Sequence, residues 1–184
     1  MESENLPLEY AFPSSLQSEA RRAISYLAED KRWVRLGSYD VLVTGEQLSI
    51  PQRIYHDPSG IPWWRVWGTK RLLLECLMTR HADGFTRQRY LQRIIRRDEI
   101  WIPPFVVLLV GEYVVEILNV IWENRQFLDR SIYGDFLRSN ADLWHKTQQR
   151  IVSYWDCYYR SVPKKEYAGF RLTELFNSIA KMER

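Results

Sequence analysis

From Thr69 to the C-terminus, apolar residues recur three or four positions apart, and Gly, Pro and Asn cut the pattern into short lengths. That spacing puts apolar side chains on one face of an α-helix, so most of this chain must fold as packed amphipathic helices. Thr69 is placed to cap a helix carrying Leu72, Leu73, Cys76 and Leu77, which ends near His81, where Ala82-Asp83-Gly84 makes a turn. A second helix, about 86–97, turns Leu91, Ile94 and Ile95 inward. Pro103 or Pro104 suits the first turn of a third, where a missing N–H costs nothing. Gly111 breaks or kinks that run, and Tyr113 to Glu123 continues it with Val114, Ile117, Leu118 and Ile121 inward. Ser131 to Ser139 forms a short helix, and Asn140 is placed to cap a long one over about 141–160. Its apolar side holds Leu143, Trp144, Thr147, Ile151, Tyr154, Trp155 and Tyr158. Pro163 stops it, 164–169 is a loop, and Leu172 to Met182 forms a last amphipathic helix.

The N-terminal third has a different character. Residues 1–13 form an irregular lead-in, and Ser14 to Gln17 has the S-x-x-Q spacing of a capping box. A helix over about 15–29 follows, with Leu16, Ala20, Ala23, Ile24 and Leu27 on its apolar stripe. Trp33 to Leu36, Tyr39 to Thr44 and Gln47 to Tyr55, punctuated by Gly37 and Gly45, predict two or three short strands. Pro51 confines its strand to a sheet edge, because it has no N–H to donate. His56 to Gly60 is a turn, and Ile61 to Trp67 a tryptophan-rich connector. The expected fold is mainly α, with antiparallel helical hairpins and a small N-terminal β element. The chain reads as one domain over 1–184, divided into a helix plus β element at 15–68 and a helical region at 69–184.

Composition narrows the functional classes. Hydrophobic residues at 46 % are enough for a core and argue against a disordered chain. Aromatic residues reach 14 %, with eight Trp and eleven Tyr, and serve a core and an interface equally well. A net charge of +3 is too small to mark a nucleic-acid binder by itself. Met1 to Tyr10 lacks the basic and apolar regions of a secretory signal. The most apolar stretch, Ile100 to Val110, contains Pro103 and Pro104 and falls short of the ~20 apolar residues of a membrane helix. Cys76 and Cys157 sit inside apolar helical patterns and are expected to be free thiols, which suits a reducing compartment. The expected location is cytoplasmic, with no membrane partner.

A helix–turn–helix unit recurs. Leu91, Ile94 and Ile95 reappear as Leu118, Ile121 and Trp122 at an offset of about 27 residues, and more loosely as Ile151, Tyr154 and Trp155. Each is preceded by a shorter apolar helix, Phe105 to Val110 and Ile132 to Leu137 for the later two. The turn Thr79-Arg80-His81-Ala82-Asp83-Gly84-Phe85-Thr86-Arg87-Gln88-Arg89 resembles the inter-helix turn of HEAT-type repeats. Over about residues 70–160 the resemblance implies a short solenoid, with Asp83 and Arg87 or Arg89 in a ladder between repeats. The second and third copies, at Gly111 to Val115 and Asn140 to Asp142, lack the matching Arg. Any three helical hairpins generate similar Leu and Ile spacings.

Catalytic signatures are missing. No H-x-x-x-H, C-x-x-C or H-E-x-x-H spacing joins His56, His81, His145 and the two cysteines, so no metal site is predicted. There is no Gly-rich phosphate loop and no nucleophile elbow, so neither a cofactor nor a catalytic residue is assigned. His145 and Cys157 stand about 18 Å apart along one continuous helix and cannot meet. Glu112 and Glu116, one helical turn apart, could do acid–base work within a site assembled in space, or pair with Arg89 and Arg93.

Two surfaces remain. Trp63, Trp64 and Trp67 offer a contact cluster, and Arg87, Arg89, Arg93, Arg96 and Arg97 form the densest run of charge. Together they suit a non-catalytic module that binds another protein. Nucleic-acid binding through the arginine face is the alternative, and an enzyme built around Glu112 and Glu116 a further one. The aromatic helix Ser153 to Arg160 is expected to serve mainly in the core.

Overall fold

A computed structural model describes residues 7–27 and 37–182. The strand expected at Trp33 to Leu36 and the last residues of the first predicted helix lie outside them. The described residues are mainly helical with one small N-terminal sheet, as the spacing predicts. They divide into two compact units, Met1–Ile94 and Ile95–Arg184.

The first unit opens with two single-turn helices, Leu8–Ala11 and Ser14–Leu16, and α1, Gln17–Ile24. The expected capping box does not form: α1 has no side-chain cap, and the Ser14 N–H donates to Glu46 Oε2 at 2.7 Å. Strands β1, Ser38–Val43, and β2, Glu46–Pro51, pair antiparallel from Ser38 opposite Pro51 to Val43 opposite Glu46. Thr44 and Gly45 make the two-residue turn, with φ of 48° and 85°. Both central residues at positive φ match the twist of the hairpin, although only glycine takes that region without strain. Val41 and Val43 point inward from β1 while Leu42 stays in solvent. Pro51 is the last paired residue, as an edge position allows. Beyond it, Ile54 leaves the sheet and makes a parallel bridge with His81, its N–H donating to Arg80 O and its C=O accepting from Ala82 N.

Helices α2, Gly68–Met78, and α3, Gly84–Ile94, form a hairpin, with α2 also against α1. The chain enters α2 through Gly68, at φ 58°, so Thr69 lies inside the first turn and supplies no cap. All residues of α2 from Leu72 to Met78 are buried, including Glu75. Leu91 and Ile94 of α3 are buried, as expected; each such side chain contributes about 1.5–3 kcal/mol. Two arginines sit in this core. Arg80 donates to Pro51 O at 3.1 Å and Gln52 O at 2.9 Å, fastening the end of α2 to the end of β2.

The second unit is wholly helical among the described residues. Helix α4, Pro103–Val110, starts on its two prolines and is buried along its entire length. Gly111 ends it outright, and α5 runs Val115–Glu123. Helix α6, Arg130–Ser139, is capped by Asp129, which accepts from Ser131 N and Ile132 N at 2.9 and 3.0 Å. Helix α7 is Ala141–Tyr158 and α8 is Ala168–Lys181. Asn140 does not cap α7; its amide donates back to Phe136 O, finishing α6. Helix α8 packs on α5, α6 and α7, burying Leu172, Phe176 and Ile179. It begins earlier than its apolar spacing suggests because Gly169, expected in a loop, is helical. A Cβ there would fall 2.5 Å from Tyr167 Cε1 and 2.8 Å from Ile151 Cγ2, so only glycine lets α8 start against α7.

Candidate functional site

The tryptophan connector divides into an anchor and a display. Trp63 stacks on Tyr90 of α3 at 5.5 Å, lies under the Arg71 guanidinium and donates its indole N–H to Pro58 O at 3.0 Å. Ile61 and Val66 on either side of it are buried. The Trp63–Arg65 segment is a single 3₁₀ turn, so Trp64 and Trp67 are carried on backbone that is already fixed. They are 82 % and 71 % exposed. Of the three predicted contact residues, therefore, one holds the platform and two face solvent.

The five arginines do not form one face. Arg87 is 1 % exposed, against the expectation of an outward position. It donates to His81 O at 2.9 Å and Ala82 O at 2.7 Å, so its guanidinium ties the start of α3 to the carbonyls of the α2–α3 turn. Arg93, an expected partner of Glu112 and Glu116, bonds Glu75 at 3.1 Å and lies over the Tyr90 ring. Arg89 is exposed. Helix α3 ends at Ile94, and Arg96 and Arg97 belong to the second unit. There Arg96 bonds Asn124 Oδ1 at 3.0 Å, and Arg97 reaches Glu99 only at 3.9 Å.

The turn between α2 and α3 is held by its own polar groups. Asp83 Oδ2 accepts from Thr86 N at 2.7 Å, and these bonds from Thr86 hold its carboxyl below the usual aspartate range. His81 Nδ1 accepts from Asp83 N at 3.0 Å, and burial pushes the His81 pKa down. A neutral imidazole is what that acceptor role requires. Asp83 and Arg87 thus each perform a local, structural task.

Glu112 and Glu116 are not one turn apart on a helix. Glu112 is buried in the break after Gly111, whereas Glu116 is exposed in the first turn of α5. His145 is exposed on α7 beside Gln149. Helix α7 is continuous, which keeps His145 and Cys157 apart. Cys76 is a buried free thiol and Cys157 an exposed one. Among the described residues, no group of three or more His, Cys, Asp or Glu side chains is arranged to hold a metal ion. No helix among them is long and apolar enough to cross a membrane.

The late aromatic helix corrects the expectation of a mainly core role. Tyr113, Tyr154 and Tyr158 form one connected patch, with centroids 5.9 to 6.3 Å apart, and Tyr158 is 67 % exposed. Tyr159 pins it by donating to Tyr113 O at 2.7 Å. Trp155 instead packs edge-on against Phe170 and donates to Val162 O. The sequence carried a signal here: Tyr154 and Tyr158 lie four apart on the same side of the helix as Ile151 and Trp155, more aromatic surface than one buried stripe needs. Arg125 and Arg171, which share the Trp122 ring, carried none, since they stand on different helices and far apart in the chain. No family model matches the chain, and neither a curated protein nor a solved structure matches it.

Proposed function

We propose that this chain is a non-catalytic protein-interaction module of the cytoplasm, which grips another protein through Trp64 and Trp67. The observation that supports it is the pairing of a rigid anchor with two solvent-facing indoles on one short connector. A large aromatic side chain gives most contact area when it enters a partner's pocket, and tryptophan is the residue type most enriched among energetic hot spots. The Trp63 stack, its bond to Pro58 O and the buried Ile61 and Val66 have already fixed the backbone that carries them. Little ordering cost is left for binding. Helical hairpins, including the HEAT-type resemblance over residues 70–160, belong to the same proposal as the scaffold that presents these residues. Two free thiols accord with a reducing compartment.

The test is affinity capture with the whole chain, comparing wild type with Trp64→Ala/Trp67→Ala and with Leu42→Ala, another exposed apolar position. The expected result is a protein retained by wild type and by Leu42→Ala, lost with the double variant, and binding directly once purified. Identical captured sets from all three would overturn the proposal. Both Trp side chains are largely in solvent, so the variants should melt with wild type and the comparison stays free of unfolding.

A further inference from the structure

In the second unit, three guanidinium groups gather on residues 122–127. Arg171 of α8 lies 3.9 Å from the Trp122 ring centroid, and Arg125 lies 4.4 Å from it. Arg125 also donates to Trp122 O at 2.8 Å. Arg96 stacks over Phe127 at 4.5 Å and donates to Asn124 Oδ1 at 3.0 Å. Exposed arginines elsewhere in this chain differ: Arg21 pairs with Glu9, Arg138 with Asp135 and Arg160 with Asp156, whereas Arg65, Arg89 and Arg130 have no carboxylate within ion-pair distance among the described residues. Among the described residues Arg96, Arg125 and Arg171 have none within ion-pair distance. The acids closest to them in sequence, Asp98 and Glu99 for Arg96, Glu123 for Arg125 and Glu174 for Arg171, make no such pair with them, and Glu99 lies 3.9 Å from Arg97 instead. Each guanidinium is instead oriented by an aromatic face, which leaves N–H groups at its edge unused.

Like charges gathered without counter-charges repel, and they are best neutralised by a polyanion laid across all three. The guanidinium fork fits the two free oxygens of a phosphodiester, and stacking on a ring has already limited its rotamers. Phe127 remains 44 % exposed beside Arg96, so an unstacked base has a ring to lie on. We infer that Arg96, Arg125 and Arg171, held on Trp122, Asn124 and Phe127, form a site for the backbone of a single-stranded nucleic acid. It is independent of the Trp64–Trp67 contact and shares only Arg96 with the arginine run of the sequence. The three phosphate contacts fix its signature. Counterion release from a single strand gives a log–log salt slope of about −0.7 per phosphate, hence about −2 here.

Fluorescence anisotropy of a labelled oligouridylate, titrated with the whole chain at several salt concentrations, tests this. Wild type should bind with that slope. Arg125→Gln should flatten it by about 0.7, and Arg96→Gln/Arg125→Gln/Arg171→Gln should abolish specific binding. Phe127→Ala should weaken binding about tenfold with the slope unchanged, as loss of one stacked base does. Circular dichroism confirms folding of each variant, and Arg125→Glu provides a second surface change should the triple variant unfold. Absence of binding at low salt, a triple variant that binds like wild type, or equal competition by a polyglutamate peptide would each overturn the assignment.

Discussion

Replacing Gly169 by alanine adds one methyl group at the start of α8, and the structure fixes what it meets. The new Cβ would lie 2.5 Å from Tyr167 Cε1, 3.1 Å from Tyr167 Cδ1 and 2.8 Å from Ile151 Cγ2. Real Cβ atoms do not approach other carbons so closely, so either Tyr167 or the α7–α8 contact must move. Tyr167 has little room: it is buried, stacked on Tyr159 at 5.1 Å and edge-on to Phe170 at 5.8 Å. Ile151 is buried as well. Overpacking of this kind costs about 1–3 kcal/mol, and two contacts under 3 Å place it towards the upper end. Against it stands the helix preference of Ala over Gly, up to about 1 kcal/mol. The net expectation is destabilisation by about 1–2 kcal/mol, or a fall in Tm of roughly 2–8 °C for a chain of this length. Gly60→Ala is the control, because nothing lies within 4 Å of a Cβ there. Calorimetry or urea unfolding of the two variants decides the matter. A Gly169→Ala protein as stable as Gly60→Ala would refute the packing of α8 described above.

Other expectations follow from single contacts. Thr44 is a β-branched residue at positive φ in a two-residue hairpin turn, so Thr44→Asn should stabilise the first unit by about 1 kcal/mol in urea unfolding. No gain would mean that the bond from Thr44 Oγ1 to Val43 O already offsets the strain. Arg87→Met should cost about 2–3 kcal/mol by removing a charged donor from the His81 and Ala82 carbonyls, whereas Arg89→Gln should stay within about 0.5 kcal/mol. His81 is half-buried and its pKa is lowered by that burial, so below about pH 6.5 the unfolded chain takes up a proton that the folded chain refuses. Stability should therefore be complete above that pH and decline as the pH falls through it. His81→Gln should remove that slope while leaving the further loss below about pH 4, where the unfolded chain protonates Asp57 and Asp83 before the folded chain, with both hydrogen-bonded, does.

Helix placement was legible where burial alone decides it. Leu72 to Leu77, Leu91 and Ile94, and the Pro103–Pro104 start of α4 needed only spacing and the missing proline N–H. Capping was not legible. Ser14, Thr69 and Asn140 all have capping chemistry, yet none caps the helix that follows: the Ser14 N–H goes to Glu46, Thr69 already lies inside α2, and the Asn140 amide bonds back to Phe136 O. Arginine burial was not legible either. A charged residue on a polar stripe reads as solvated, but Arg80 is turned inward to carbonyls at the end of β2 and Arg87 to carbonyls of the α2–α3 turn. The tryptophan cluster was visible as a cluster, and its division into an anchor and two exposed rings was not. That division depends on Tyr90, which reaches Trp63 only when α2 and α3 fold together. The tyrosine patch has the same origin: Tyr113 meets Tyr154 and Tyr158 only because Gly111 ends α4 and redirects the chain.

Site-specific photo-crosslinking in cells tests the interaction role most directly. A photoreactive phenylalanine derivative placed at 64, at 67 or, as control, at 42 keeps an aromatic body at the two contact positions. The same partner protein should become covalently attached from 64 and from 67 and not from 42. Adducts absent from both, or indistinguishable among the three positions, would contradict the assignment of Trp64 and Trp67 as the surface on which this protein acts.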